Sequence, residues 1–156
     1  MKKLLTLLCA LAVAAPTLTA QSKKLRVAVF DPASSGKAVD EGTRMAVREI
    51  ISSTFVNTGK YTIVERSLLD KVIKEQAFSN TGMVDDSQAT ELGRLAGANK
   101  VVLSVVTLAT GRNMLSVKVI DVQTATVDRQ KTKIVSADDL LDAVEPLTLE
   151  LMGEEV

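Results

Sequence analysis

Two rhythms of apolar residues alternate along this chain, and the switches between them predict its elements. Leu25 to Phe30 (LRVAVF) is a short apolar run with β-branched residues, read as a strand stopped at Asp31-Pro32. Positions 31–38, rich in Ser, Gly and Pro, read as a loop. From Val39 to Phe55 the rhythm becomes helical: Val39, Ala46, Ile50 and Phe55 recur at three-to-four spacing, flanked by Thr43, Val47 and Ile51. Asp40 and Glu41 suit its positive N-terminal end, and Thr58-Gly59 closes it. Tyr61 to Glu65 is a second strand. Ser67, with Asp70 three residues on, predicts a capped helix with Leu69, Val72, Ile73 and Ala77 as its buried stripe. After a loop at Asn80-Thr81-Gly82, a third helix starts at Asp86 or Ser87, runs through Ala89, Leu92, Leu95 and Ala96, and ends at Gly97.

The second half changes character. Val101 to Leu108 is almost wholly apolar, as a strand covered on both faces would be. A turn at Thr110 to Asn113 leads to Leu115, Val117 and Val119, which alternate with Ser116 and Lys118 and predict one wetter face. A turn at Gln123 to Ala125 precedes Thr126–Val135, a charged strand suited to a sheet edge. Asp138 to Met152 reads as a last helix that Pro146 kinks or splits. The expected class is α/β, an α+β mixed sheet of about five strands in the order β-α-β-α-α-β-β-β-α with helices packed on it.

The first twenty positions stand apart. Met1-Lys2-Lys3 and the apolar run Leu4 to Ala15, closed by Pro16 and the small residues up to Ala20, form the pattern of a cleavable export signal. The run falls short of the roughly 20 residues that span a bilayer. The expected organisation is a signal peptide at 1–20 and one periplasmic domain at 21–156. With Lys2 and Lys3 in the leader, the formal neutrality of the whole chain becomes a charge of about −2. That balance, with only Phe30, Phe55, Phe78 and Tyr61 as aromatics, argues against nucleic acid as a partner.

Chemistry narrows the reading further. The chain has no histidine, and its one cysteine, Cys9, lies inside the leader without the small preceding residue a lipid anchor needs. No cofactor, metal or catalytic residue is expected. Ser34 and Lys37 fit Ser-x-x-Lys, but the partner motifs of penicillin-recognising enzymes are missing. As a phosphate loop the segment lacks both the leading glycine and the hydroxyl after Lys37. A small-ligand binder or histidine-free hydrolase built on the Ser34–Lys37 loop is the alternative reading. Asp85-Asp86 and Asp138-Asp139 read as solvated caps, since neither has the alternating oxygens and glycine of a calcium loop. Arg129, Lys131 and Lys133 share one strand face and read as edge protection or, alternatively, as a site for an anionic partner. Phe78 and Met83 mark a candidate protein-contact loop at 78–86.

Tyr61, Glu65-Arg66, Leu69, Val72, Glu75-Gln76, Ala89, Leu92-Gly93, Leu95, Gly97-Ala98 and Val101-Val102, taken as a set, resemble the core of the CsgG-like family. That family includes the curli secretion channel subunit and is related to periplasmic domains of the LpoB type, which activate penicillin-binding proteins. The resemblance spans about Leu25 to Val122 and gives fold before function. Its motif residues Glu65, Arg66, Glu75, Gln76, Gly93, Gly97 and Ala98 have mainly structural readings: a charged hinge or cap at 65–66, close packing at Gly93, a helix stop at Gly97. The channel subunits are lipoproteins that add hairpins to a shared barrel, and such hairpins need further alternating segments of about 10 residues each. Every apolar strand here is already committed to the core. The resemblance therefore implies an exported, non-catalytic envelope domain, periplasmic or peripheral to the outer membrane. It would self-associate as a homo-oligomer or dock on an envelope protein complex, as a curli-type export accessory or a cell-wall synthesis regulator.

Overall fold

The computed structural model describes residues 23–36, 39–76, 84–109, 112–136 and 138–154. The signal-like leader and Cys9 lie outside them. In chain order the elements are β1 (Leu25–Val29), β2 (Ala33–Gly36), α1 (Glu41–Asn57), β3 (Tyr61–Ile63), α2 (Arg66–Glu75), α3 (Asp86–Leu95), β4 (Lys100–Ala109), β5 (Arg112–Asp121), β6 (Thr126–Val135) and α4 (Val144–Met152). They form one mixed sheet in the order β3-β1-β4-β5-β6, with β2 also on β4. The expected mixed α/β class with helices packed on a sheet is what is found.

The apolar strand at the centre explains the architecture. Along β4, Val102 and Val106 point to one face and Val101 and Leu103 to the other, and all four are buried. On the first face lie α1 and α4, with Val47, Ile51, Phe55, Val144, Leu147 and Leu151 packed on Val27, Val29, Leu115, Val117 and Val119. Phe55 meets Tyr61 edge to face with ring centres 5.0 Å apart. On the second face α2 and α3 bring Leu69, Val72, Ala89 and Leu92 onto Ala28, Phe30 and Ile120. β6 is the expected charged edge strand, paired antiparallel to β5.

Several local expectations change. The segment read as a loop at 31–38 contains β2, whose residues Ala33 to Gly36 pair in parallel with Val105 to Leu108. β1 pairs in parallel with Lys100 to Val102 of the same strand, so β1 and β2 lie end to end along one edge of β4. Nothing in Ala-Ser-Ser-Gly favours extended structure; backbone pairing to β4 imposes it. Gly36 has a φ of +81°, and a Cβ there would approach the Leu108 carbonyl oxygen to 2.9 Å. Between Val29, opposite Val102, and Ala33, opposite Val105, β1–β2 holds one residue more than β4. That surplus falls at Asp31-Pro32, where proline has no donor for the ladder.

The capping box expected at Ser67 and Asp70 is absent; α2 starts at Arg66 behind Glu65, without a side-chain cap. Asp70 is engaged instead by Arg66 (2.8 Å). The reciprocal box sits at α3, where Asp85 accepts from the Gln88 amide and Gln88 from the Asp85 amide. Leu95, expected in the stripe of α3, is exposed. The last helix is shorter than 138–152: residues 138–143 form turns, and α4 begins at Val144. Pro146 thus falls in the first turn, where its missing N–H has no intrahelical partner to lose. Among the described residues, no helix is long and apolar enough to cross a membrane.

Candidate functional site

The residue that β1–β2 bulges out, Asp31, is the centre of a charged cluster. Arg66, the first residue of α2, clasps it with two parallel hydrogen bonds of 2.5 and 2.7 Å. The Nε of Arg48 on α1 lies 3.2 Å from the same carboxylate. Burial alone would raise the Asp31 pKa, but the Arg66 hydrogen bonds and the charges of Arg66, Arg48 and Arg44 hold it below its ordinary value. Arg66 is shifted up in turn by its bonds to Asp31 and Asp70. The cluster ties the end of β1 to the middle of α1 and the start of α2, and bidentate geometry makes it stiffer than a simple surface pair.

The other motif residues are placed around α2 and α3. Glu65 serves α2 through its backbone carbonyl, which accepts from the Leu68 and Leu69 amides. Glu75 ends α2, 3.8 Å from the Lys71 amine, and Gln76 follows as the cap. A Cβ on Gly93 would come within 2.3 Å of Val101 Cγ2, so α3 can lie against β4 only with glycine there. Gly97 takes φ +70°; its amide donates to Arg94 and that of the buried Ala98 to Gly93, the double bond of a Schellman stop. Phe78 and Met83 lie outside the described residues.

Two cations of the basic line on β6, Arg129 and Lys131, are engaged within the fold. Arg129 donates to the carbonyl oxygens of Leu151 and Met152, capping the negative end of α4. Lys131 pairs with Glu150 at 2.8 Å. These local bonds leave less of that face for an anion and fit its reading as edge protection. The adjacent acids also act locally: Asp85 caps α3, Asp86 pairs with Lys118, and Asp139 exchanges hydrogen bonds with Ser136. Among the described residues no three side chains gather as metal ligands. Ser34 lies in β2, where its hydroxyl accepts from the Val39 amide at 3.4 Å, and Lys37 lies outside the described residues.

Beside the Asp31 cluster opens a cavity of about 720 Å³, lined by Phe30, Leu69, Ile73, Val84 and Leu103 with Arg44, Arg66, Lys74 and Lys118. Sequence reasoning missed both cavity and cluster. Asp31 and Arg66 are 35 positions apart, and only the bulge at Asp31-Pro32 and the start of α2 bring them together. The available signals were Asp-Pro after a strand and the Arg44/Arg48 spacing on one helix face.

Residues 9–114 match the family described as Curli production assembly/transport component CsgG. The chain belongs to the CsgG family. No curated protein sequence matches it. Among solved structures, this CsgG-family chain is similar to the LpoB C-terminal domain from Salmonella enterica, with a TM-score of 0.62 and 18% identity over 76% of this chain and 87% of that one. It is also similar to the lipoprotein GNA1162 from Neisseria meningitidis (TM-score 0.58, 12% identity, 85% of this chain and 99% of that one). The PelC dodecamer from Paraburkholderia phytofirmans is a third likeness (TM-score 0.51, 16% identity, 83% of this chain and 87% of that one). At these identities the likeness is one of fold.

Proposed function

We propose that this chain is an exported, non-catalytic domain of the bacterial cell envelope that acts by binding protein, through self-association or by docking on an envelope complex. Membership of the CsgG family carries this reading. Two further observations support it. The chain has no histidine, and its ionic cluster is consumed in tying β1, α1 and α2 together rather than left poised for proton transfer. A fold shared with an LpoB domain and with a PelC dodecamer is compatible with either mode of binding. Curli-type export and regulation of cell-wall synthesis are the two roles the family relation favours.

Sedimentation of the exported protein, with in-cell crosslinking and capture from envelope extract, tests the proposal. The expected result is a defined oligomer or a stoichiometric envelope partner. A strict monomer at every concentration that crosslinks to nothing overturns it.

A further inference from the structure

We propose that the cavity between α2 and β4 binds a small amphiphile, an apolar chain ending in a carboxylate. A volume of about 720 Å³ falls in the range of sites for small molecules, roughly 300–1,000 Å³. The larger part of its lining is apolar, with Phe30, Leu69, Ile73 and Leu103 on facing elements. An apolar body therefore fits, and the charged groups around the cavity decide which head group accompanies it.

Each acid on the lining is already engaged within the protein. Asp31 is held by Arg66 and Arg48, Asp70 by Arg66, Asp85 by the capping box and Asp86 by Lys118. The cations are not balanced in the same way. Arg66 and Lys118 are spent on those acids, but Arg44 and Lys74 form no ion pair among the described residues. The Nε of Arg44 is buried without a hydrogen-bond partner. Both carboxylate oxygens of Asp31, the acid whose charge Arg44 senses, are already bonded to Arg66. The unspent capacity is thus for donors and positive charge. A carboxylate satisfies a guanidinium's planar fork with two parallel bonds, whereas a cationic head group would find no unengaged acid on the lining among the described residues.

Titration of the exported protein with decanoate, followed by amide NMR shifts, tests this. Decanol and acetate serve as the tail-only and head-only controls. Saturable shifts are expected at Phe30, Ile73, Leu103 and Ser104, with decanol and acetate each weaker by about tenfold or more. Arg44→Ala should weaken decanoate about tenfold and leave decanol unchanged, and Arg44→Lys should restore part of the loss. Ile73→Glu, which sets a like charge on the wall, gives a second variant in case Arg44→Ala perturbs folding; it should abolish decanoate binding. Equal affinity for decanoate and decanol, shifts confined to other surfaces, or no saturable shift at millimolar decanoate overturns the proposal.

Discussion

The two faces of the sheet are built from the same central strand but finished differently. On one, the 17-residue α1 and the leucine-rich α4 close over Val102, Val106, Leu115 and Val117, and the aromatic pair Phe55–Tyr61 fills the end. On the other, α2 and α3 have ten residues each and leave a cavity between α2 and β4. One long helix, with the short but leucine-rich α4 beside it, closes the first face. The two ten-residue helices leave room on the second that polar side chains then border. The contrast teaches that a single apolar strand can serve two purposes: Val102 and Val106 are core, while Leu103, one step away, lines a chamber.

Substitutions on the two faces should therefore differ in size. Phe55→Ala on the closed face is expected to lose about 3–5 kcal/mol in urea unfolding, since it vacates a fully packed site. Ile73→Ala on the cavity wall should lose only about 1 kcal/mol, because its space is already partly open. Equal losses would break the comparison. The cavity face is nonetheless tight where α3 meets β4. Gly93→Ala should destabilise by about 1–3 kcal/mol, and adding Val101→Ala should recover part of that in a double-mutant cycle. Arg129→Ala, which uncaps the end of α4, should cost about 1 kcal/mol on the closed face.

The smallest effect concerns pH. The hydrogen bond from Lys100, together with the amides of Thr124 and Gln123, lowers the Asp121 pKa from 3.8 to about 2. A group whose folded pKa is depressed stabilises the protein above its unfolded pKa, and that contribution fades as pH falls through the folded one. Asp121→Asn should thus reduce stability by about 1 kcal/mol or less at pH 6, with the difference from wild type shrinking between about pH 4 and pH 2. A difference that grows on acidification would contradict the assigned pairing.

Much of the fold could be read in the chain because its strands and helices carry unambiguous rhythms. Val101 to Leu108 announced a covered strand, and the alternation at Leu115, Val117 and Val119 announced a one-sided one. What escaped was whatever depends on distant partners. Ala33 to Gly36 has no intrinsic preference for extended structure and becomes a strand only beside β4. Ser67 and Asp70 have capping-box spacing, yet Arg66 takes Asp70 because it also reaches Asp31. Arg129 reads as a surface charge until α4 is laid against β6. The seven motif residues were visible, and Gly93, Gly97 and Ala98 have the packing and helix-stop geometry that glycine and alanine permit. The cluster at Asp31 and the cavity beside it were not visible, because at least three elements must meet before either exists.

The sheet's topology also sets an order of assembly. β4, β5 and β6 are successive hairpins: Lys100 to Ala109 faces Asp121 back to Arg112, and Asn113 to Asp121 in turn faces Val135 back to Thr126. Such neighbours close quickly, on the order of microseconds for an isolated hairpin. β1 must instead find β3 and β4 across intervening helices, and those closures are slower to be repaid. Truncation at Val117 should therefore slow refolding, whereas truncation at Ile63 should mainly speed unfolding. The three-stranded meander is the template, and the amino-terminal strands arrive on an edge already made.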